Sequence, residues 1–248
     1  MRLDIKCGVL IIGSLFWDDH QPDNKNQRKN WRRTRLLMSD TIHVKAPIRY
    51  GRLSRKAQKH YTMVFSKNAE IKNKLGTAYL VPFRNTKIAY IKGLKNQAEF
   101  LSQAENIKGK NNKKIVKGEK KIWCTIGLII NPNLCSEKIE FILTQWKKLI
   151  KNQGKDGDYK EYKIGKEKSI LSERGEILIN WINSVDKNNQ KKIDEFDVIL
   201  ATCTKPNVPK YPCIHKMTNN IFKDKRQYFY NNIQNGIFTF IDNKILNM

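Results

Sequence analysis

The 248-residue chain has no apolar run approaching the roughly 18 residues that a membrane-spanning helix needs. It has no internal repeat. Its five cysteines contain no Cys-x-x-Cys pair, and their odd number does not close into a disulfide framework. Cys7, Cys124 and Cys203 fall in apolar, strand-like runs and read as reduced core residues. Histidine is scarce, with four in the chain, and His215 has no neighbouring His, Cys or Asp cluster to make a metal site with it. Acidic residues are also few. There are 23 against 48 basic ones, which gives a net charge of +25. That excess has two readings. One is a nucleic-acid or other polyanion partner. The other is a codon-biased, lysine-loaded surface, since lysine, asparagine and isoleucine are all abundant and the lysines do not gather on one periodic face. A basic field also steers a small anionic substrate.

What is present fits one domain over residues 1–248, cytoplasmic and with a real core: 40% of residues are hydrophobic and 10% aromatic. The N-terminal stretch imitates a signal peptide through Arg2, Lys6 and the apolar run to Trp17. Asp4 interrupts it, and Asp18-Asp19 follows with no small-residue cleavage site. It is expected to be the first strand. Further strands are expected at Thr41–Val44, Ile48–Leu53, Tyr61–Ser66, Leu75–Pro82 (stopped by its proline), Trp123–Ile130, Phe196–Thr204 and Ile237–Ile241. Helical spacing points to Gln97–Asn106, to a segment opened by Ser136, to a second opened by Ser172 and running through Ile182, and to Ile214–Asn232. The chain from about 136 to 190 then reads as a helical insertion. Asp18–Asn30 reads as a polar loop, Gln153–Lys168 as a charged loop, and Lys108–Lys121 as a basic one without aromatic residues for base stacking. Trp31 to Leu37 carries three arginines. They form either a solvated face or a guanidinium wall for a carboxylate or phosphate.

The sharpest feature is the run Val9-Leu10-Ile11-Ile12, which stops on Gly13-Ser14-Leu15 with Trp17 soon after. A core strand with an ordinary turn accounts for it. So does a strand end whose glycine admits a ligand and whose free amides bind an anion.

Taken in order, Gly13-Ser14-Leu15 with Trp17, the strand Gly76-Thr77-Ala78-Tyr79, the segment Leu101 to Glu105 and the late strand Ala201-Thr202-Cys203-Thr204 resemble the γ-glutamylcyclotransferase-like superfamily, which includes the ChaC and AIG2-like proteins. Ile12 and Thr204 stand where that family's motifs have tyrosine. The resemblance covers roughly 7–107 and 194–235. It implies an α+β fold, a mixed-sheet γ-glutamylcyclotransferase-like β-barrel with flanking helices. It implies an enzyme of the acyl transferase or lyase type, which closes a γ-glutamyl group or a related small anionic conjugate on its own α-amine to give 5-oxoproline. No metal and no organic cofactor is required. Glu105 is the implied general acid and base, with Glu99 the second choice. Ile12, Gly13, Ser14, Leu15, Trp17 and Tyr79 are the implied substrate-binding residues, and Arg35 or Arg52 is a candidate to anchor a second anionic group. The rival from another class is a non-enzymatic binder of nucleic acid or another polyanion on the same scaffold, with Lys108–Lys121 as its contact. No membrane is expected as a partner, and the sequence leaves oligomeric state open.

Overall fold

The computed structural model describes residues 4–19, 26–54, 60–107, 123–151, 158–225 and 227–248. The basic loop at Lys108–Lys121 lies outside these residues. Among the described residues the elements run β1 (Ile5–Ile11), α1 (Gln27–Arg35), β2 (Ile42–Ala46), β3 (Ile48–Leu53), β4 (Tyr61–Phe65), α2 (Lys67–Ile71), β5 (Gly76–Ile88), α3 (Ile91–Ala104), β6 (Cys124–Ile130), α4 (Ser136–Lys151), β7 (Asn183–Ser184), α5 (Gln190–Asp194), β8 (Val198–Thr204), α6 (Ile214–Ile221), α7 (Tyr228–Gln234) and α8 (Asp242–Leu246).

The architecture is α+β. Six strands form one mixed sheet in the order β6-β8-β1-β5-β2-β7, and β3 with β4 forms a separate ribbon. β1 lies inside the sheet, parallel to β8 and antiparallel to β5. Its alternating side chains feed two cores. Val9 and Ile11 pack with Leu94, Ala98 and Leu101 of α3 and with Ile142 and Trp146 of α4. Leu10 and Ile12 pack with the β3–β4 ribbon and with α6, α7 and α8. The sheet is therefore covered on both faces, as the continuous apolar runs of β1, β6 and β8 demand.

Several expectations are corrected. The described strands do not close into a barrel. At one edge β6 is met by an extended segment, where Leu128 N donates to Gly175 O at 3.0 Å and Ile177 N to Leu128 O at 2.6 Å. At the other edge stands the two-residue β7. The same pairing abolishes the helix expected from Ser172 to Ile182. Gly175 adopts φ +77°, which no continuing helix accommodates, and Ile177 is spent on the sheet edge. Among the described residues, the stretch 136–190 thus holds α4, the extended segment beside β6, β7 and short turns rather than paired helices. β5 does not stop at Pro82. Pro82 pairs with Gly8 next to a register shift in β1, where a missing N–H is tolerated. The helix expected over Ile214–Asn232 is two helices. The chain breaks between them at Gln227, in a left-handed conformation at φ 51°, and the Asp224 carboxylate accepts from Tyr228 N, the first amide of α7, at 2.7 Å. No strand forms at Ile237–Ile241, which instead leads into α8.

α8 is fixed by one buried carboxylate. Asp242 accepts from Thr239 N and Thr239 Oγ1, each at 2.7 Å, and from the Tyr50 hydroxyl at 3.2 Å. Burial outweighs these bonds and pushes its carboxyl up to about 6. A carboxyl raised in the folded state contributes most at low pH, and its contribution is lost as pH rises through that value. The stability of wild type relative to Asp242→Asn, measured by urea unfolding, is therefore expected to fall between pH 4 and pH 7. A difference that is flat or rises over this range contradicts the assignment.

Candidate functional site

The site is built where β1 ends. After Ile11 the chain turns at once: Phe16 N donates to Gly13 O at 3.0 Å, Trp17 N to Ser14 O at 3.2 Å and Asp18 N to Ser14 O at 2.7 Å. The turn is closed by the amides of Phe16, Trp17 and Asp18, so those of Gly13, Ser14 and Leu15 are not used in closing it.

Arg28 gathers the surroundings of this turn. It sits in the first turn of α1, in the stretch expected to be loop. Its Nη1 donates to Ser14 Oγ at 3.1 Å and to Asp18 Oδ2 at 3.3 Å. Its Nη2 donates to Glu105 Oε2 at 3.0 Å, and its Nε to Ala104 O at 3.3 Å. All three charged side chains are nearly buried, with exposures of 9–10%. An arginine suits this place because its rigid fork serves two carboxylates, a hydroxyl and a carbonyl at once.

Glu105 reaches Arg28 because α3 ends where it does. Asn106 takes a left-handed conformation at φ 53°. Ile107 N donates to Ser102 O at 3.0 Å, and Asn106 N to Gln103 O at 2.9 Å. This pair of bonds is a Schellman end, and it puts Glu105 at the cap position. Ile107, 3% exposed, pins the exit by burying itself in the core. The Arg28 guanidinium therefore meets the negative end of α3 as well as the carboxylate.

A second arginine, Arg32, lies one turn further along α1. It donates to Leu15 O at 2.6 Å and pairs with Asp19. Burial lowers its guanidinium against the pull of Asp19. The other side of the turn is aromatic. Phe16 stacks on Tyr79 with centroids 4.2 Å apart, and Tyr79 stacks on His43 at 5.0 Å. Trp17 Nε1 donates to Asn232 Oδ1 of α7 at 2.8 Å. Tyr228, also of α7, stacks on His60 at 4.9 Å. His60 Nδ1 lies 3.7 Å from Asp224 Oδ1.

Gly13, Ser14, Leu15, Trp17, Tyr79 and Glu105 thus come together at one end of the sheet. Ile12 is buried in the core formed with the ribbon. Glu99 pairs instead with Lys95 along α3, at 3.8 Å. Arg35 stacks on the Phe100 ring with 3.6 Å to its centroid. Arg52 donates to Lys205 O at 2.7 Å. Neither arginine is bonded to the Arg28 cluster in these contacts. Sequence reasoning missed Arg28, Asp18 as its partner, and Tyr228. The signal for the first was there: Arg28, Trp31, Arg32 and Arg35 recur at i, i+3, i+4 and i+7, one helical face. Among the described residues, no group of three His, Cys, Asp or Glu side chains is arranged to hold a metal ion, and no helix is long and apolar enough to cross a membrane.

No family model matches the chain, and neither a curated protein nor a solved structure matches it.

Removing the guanidinium takes from Asp18 and Glu105 the cation that bonds them both. Arg28→Met is expected to cost about 3–5 kcal/mol near neutral pH, the usual scale for orphaning buried charge. Urea unfolding near neutral pH checks this. A cost below about 1 kcal/mol, the scale of an exposed ion pair, means that charge pairing is not the reason for Arg28.

Proposed function

We propose that the chain is a γ-glutamylcyclotransferase-like enzyme that closes a γ-glutamyl or related small anionic conjugate by intramolecular acyl transfer, with Glu105 as general acid and base. The observation that carries this reading is the single guanidinium that bonds both Ser14 and Glu105, which brings a carboxylate 91 residues distant in sequence (105 − 14 = 91) to the glycine turn.

In this reading the α-amine of the substrate attacks its own γ-carbonyl carbon. A C–N bond forms and the carbonyl oxygen takes the negative charge. Glu105 accepts the proton released by the attacking nitrogen and hands it to the departing amine as the original amide bond breaks. The carbonyl re-forms in the 5-oxoproline ring. The amides of Gly13, Ser14 and Leu15 lie at the turn where an oxyanion or a substrate carboxylate gains most from preorganised donors. Ring closure is intramolecular, so the protein gains chiefly by holding the bent conformer. The stacked Phe16 and Tyr79 supply a firm wall for that purpose.

The net charge of +25 favours a second reading, a non-enzymatic binder of nucleic acid or another polyanion. One set of proteins separates the two. Wild type and Glu105→Gln are assayed for 5-oxoproline release from γ-glutamyl amides and for duplex binding at rising salt. The cyclotransferase reading expects release by wild type and a loss of about 10²–10⁴-fold in the variant, the usual scale of a general acid–base group. Equal release by both overturns the role of Glu105. Absence of release, together with duplex binding that weakens steeply with salt and is unchanged in the variant, replaces the reading with the second one.

A further inference from the structure

The space above Gly13 is occupied in an unusual way. A Cβ built on this glycine would lie 2.6 Å from Tyr228 Oη and 3.6 Å from its Cζ. Apart from the chain neighbours of Gly13, no other described atom lies within 4 Å of that point. The turn at the end of β1 is therefore roofed by one phenol, and only glycine at position 13 leaves room for it. Gly13 has no left-handed φ to explain its presence, so the close approach of the hydroxyl is its reason.

The ring is held firmly. Tyr228 is 6% exposed. It lies against His60 on one side and 6.1 Å from Trp17 at a tilt of 56° on the other. Trp17 is itself tied to Asn232, one helical turn beyond Tyr228 on α7. The start of α7 is fixed by Asp224. Burial pushes the Tyr228 hydroxyl up to about 12, so it keeps its proton at neutral pH. The Asn232 side chain and the Met63 backbone pull the other way, but burial outweighs them. The charges of Glu105 and Arg28 both reach it. A neutral donor packed on a glycine turn is an arrangement that stabilises charge developing on a carbonyl oxygen.

We propose that Tyr228 contacts the ligand in this site, donating its hydroxyl hydrogen bond to the oxygen of the attacked γ-carbonyl and, after ring closure, to the lactam oxygen of 5-oxoproline. The assignment rests on the cyclotransferase reading for the reaction, but the hydrogen bond to the lactam oxygen stands or falls on binding alone. The bond is strongest when the oxygen carries charge, so its loss appears in kcat more than in KM.

The test uses wild type, Tyr228→Phe and Tyr230→Phe, the last an exposed tyrosine of the same helix. Release of 5-oxoproline from γ-glutamyl amides and calorimetric binding of 5-oxoproline are measured for each. Tyr228→Phe is expected to lose about 10²–10³-fold in kcat, the scale of one oxyanion donor, with KM little changed and Tyr230→Phe unaffected. Release by Tyr228→Phe equal to wild type overturns the proposal and leaves the cyclotransferase reading standing. If wild type releases nothing, that reading falls and binding decides. Binding of 5-oxoproline by wild type that weakens by about tenfold or more in Tyr228→Phe alone upholds the contact. No binding by wild type, or equal binding by both, overturns it. Should Tyr228→Phe fail to fold, Gly13→Ala takes its place, since its methyl displaces the hydroxyl. It is expected to lose kcat, or 5-oxoproline affinity where wild type releases nothing, and a Gly13→Ala protein that keeps both at wild-type level overturns the proposal.

Discussion

The Arg28 guanidinium is the constraint on which the site depends. One side chain binds the end of β1 through Ser14, the following turn through Asp18, and the end of α3 through Glu105 and the Ala104 carbonyl. Each bond limits the others. Two nearly buried carboxylates are stable together only with a cation between them, and a nearly buried guanidinium is stable only with its donors satisfied. The Schellman end of α3 delivers Glu105, and the hydrogen-bonded turn after Ile11 delivers Ser14 and Asp18.

Around this cluster the two cores of the sheet play different parts. The α3–α4 side supplies the charges. The side of the ribbon, α6 and α7 supplies a neutral hydroxyl, a tryptophan bonded to Asn232 and a histidine stacked on Tyr228. β1 separates the two, and its last residues are where both can be reached. The glycine at this boundary is small because Tyr228 stands over it. Ile12, which occupies the place where the resemblance has tyrosine, turns into the core beneath. The phenol at the turn comes from α7 instead, far along the chain.

Much of the scaffold was legible in the sequence. β1, β6 and β8 announce themselves as apolar runs bounded by Gly, Asn or Pro, and sheets covered on both faces produce such runs. Glu105 was singled out only through the resemblance, by its place four residues after Leu101; the helical pattern alone reads it as a solvent-facing residue. Arg28 was not, because the polar, asparagine- and lysine-rich approach to α1 masked a helical face that starts with it. The segment after Ser172 shows the opposite failure. Its apolar residues have helical spacing, but Gly175 and the open edge of β6 turn them into an extended pairing. A sequence pattern records which residues want burial and leaves unsaid which partner meets them. Tyr228 illustrates the same limit, since its contact with Gly13 joins residues 215 positions apart (228 − 13 = 215).

The proposed function requires the Gly13–Leu15 turn and Glu105 to form one ligand site. Titration of 5-oxoproline into isotopically labelled protein, followed by amide chemical shifts, checks this. Saturable shifts are expected at the amides of Gly13, Ser14, Leu15 and Glu105. Saturable shifts confined to other parts of the fold, or none at any residue, would contradict it.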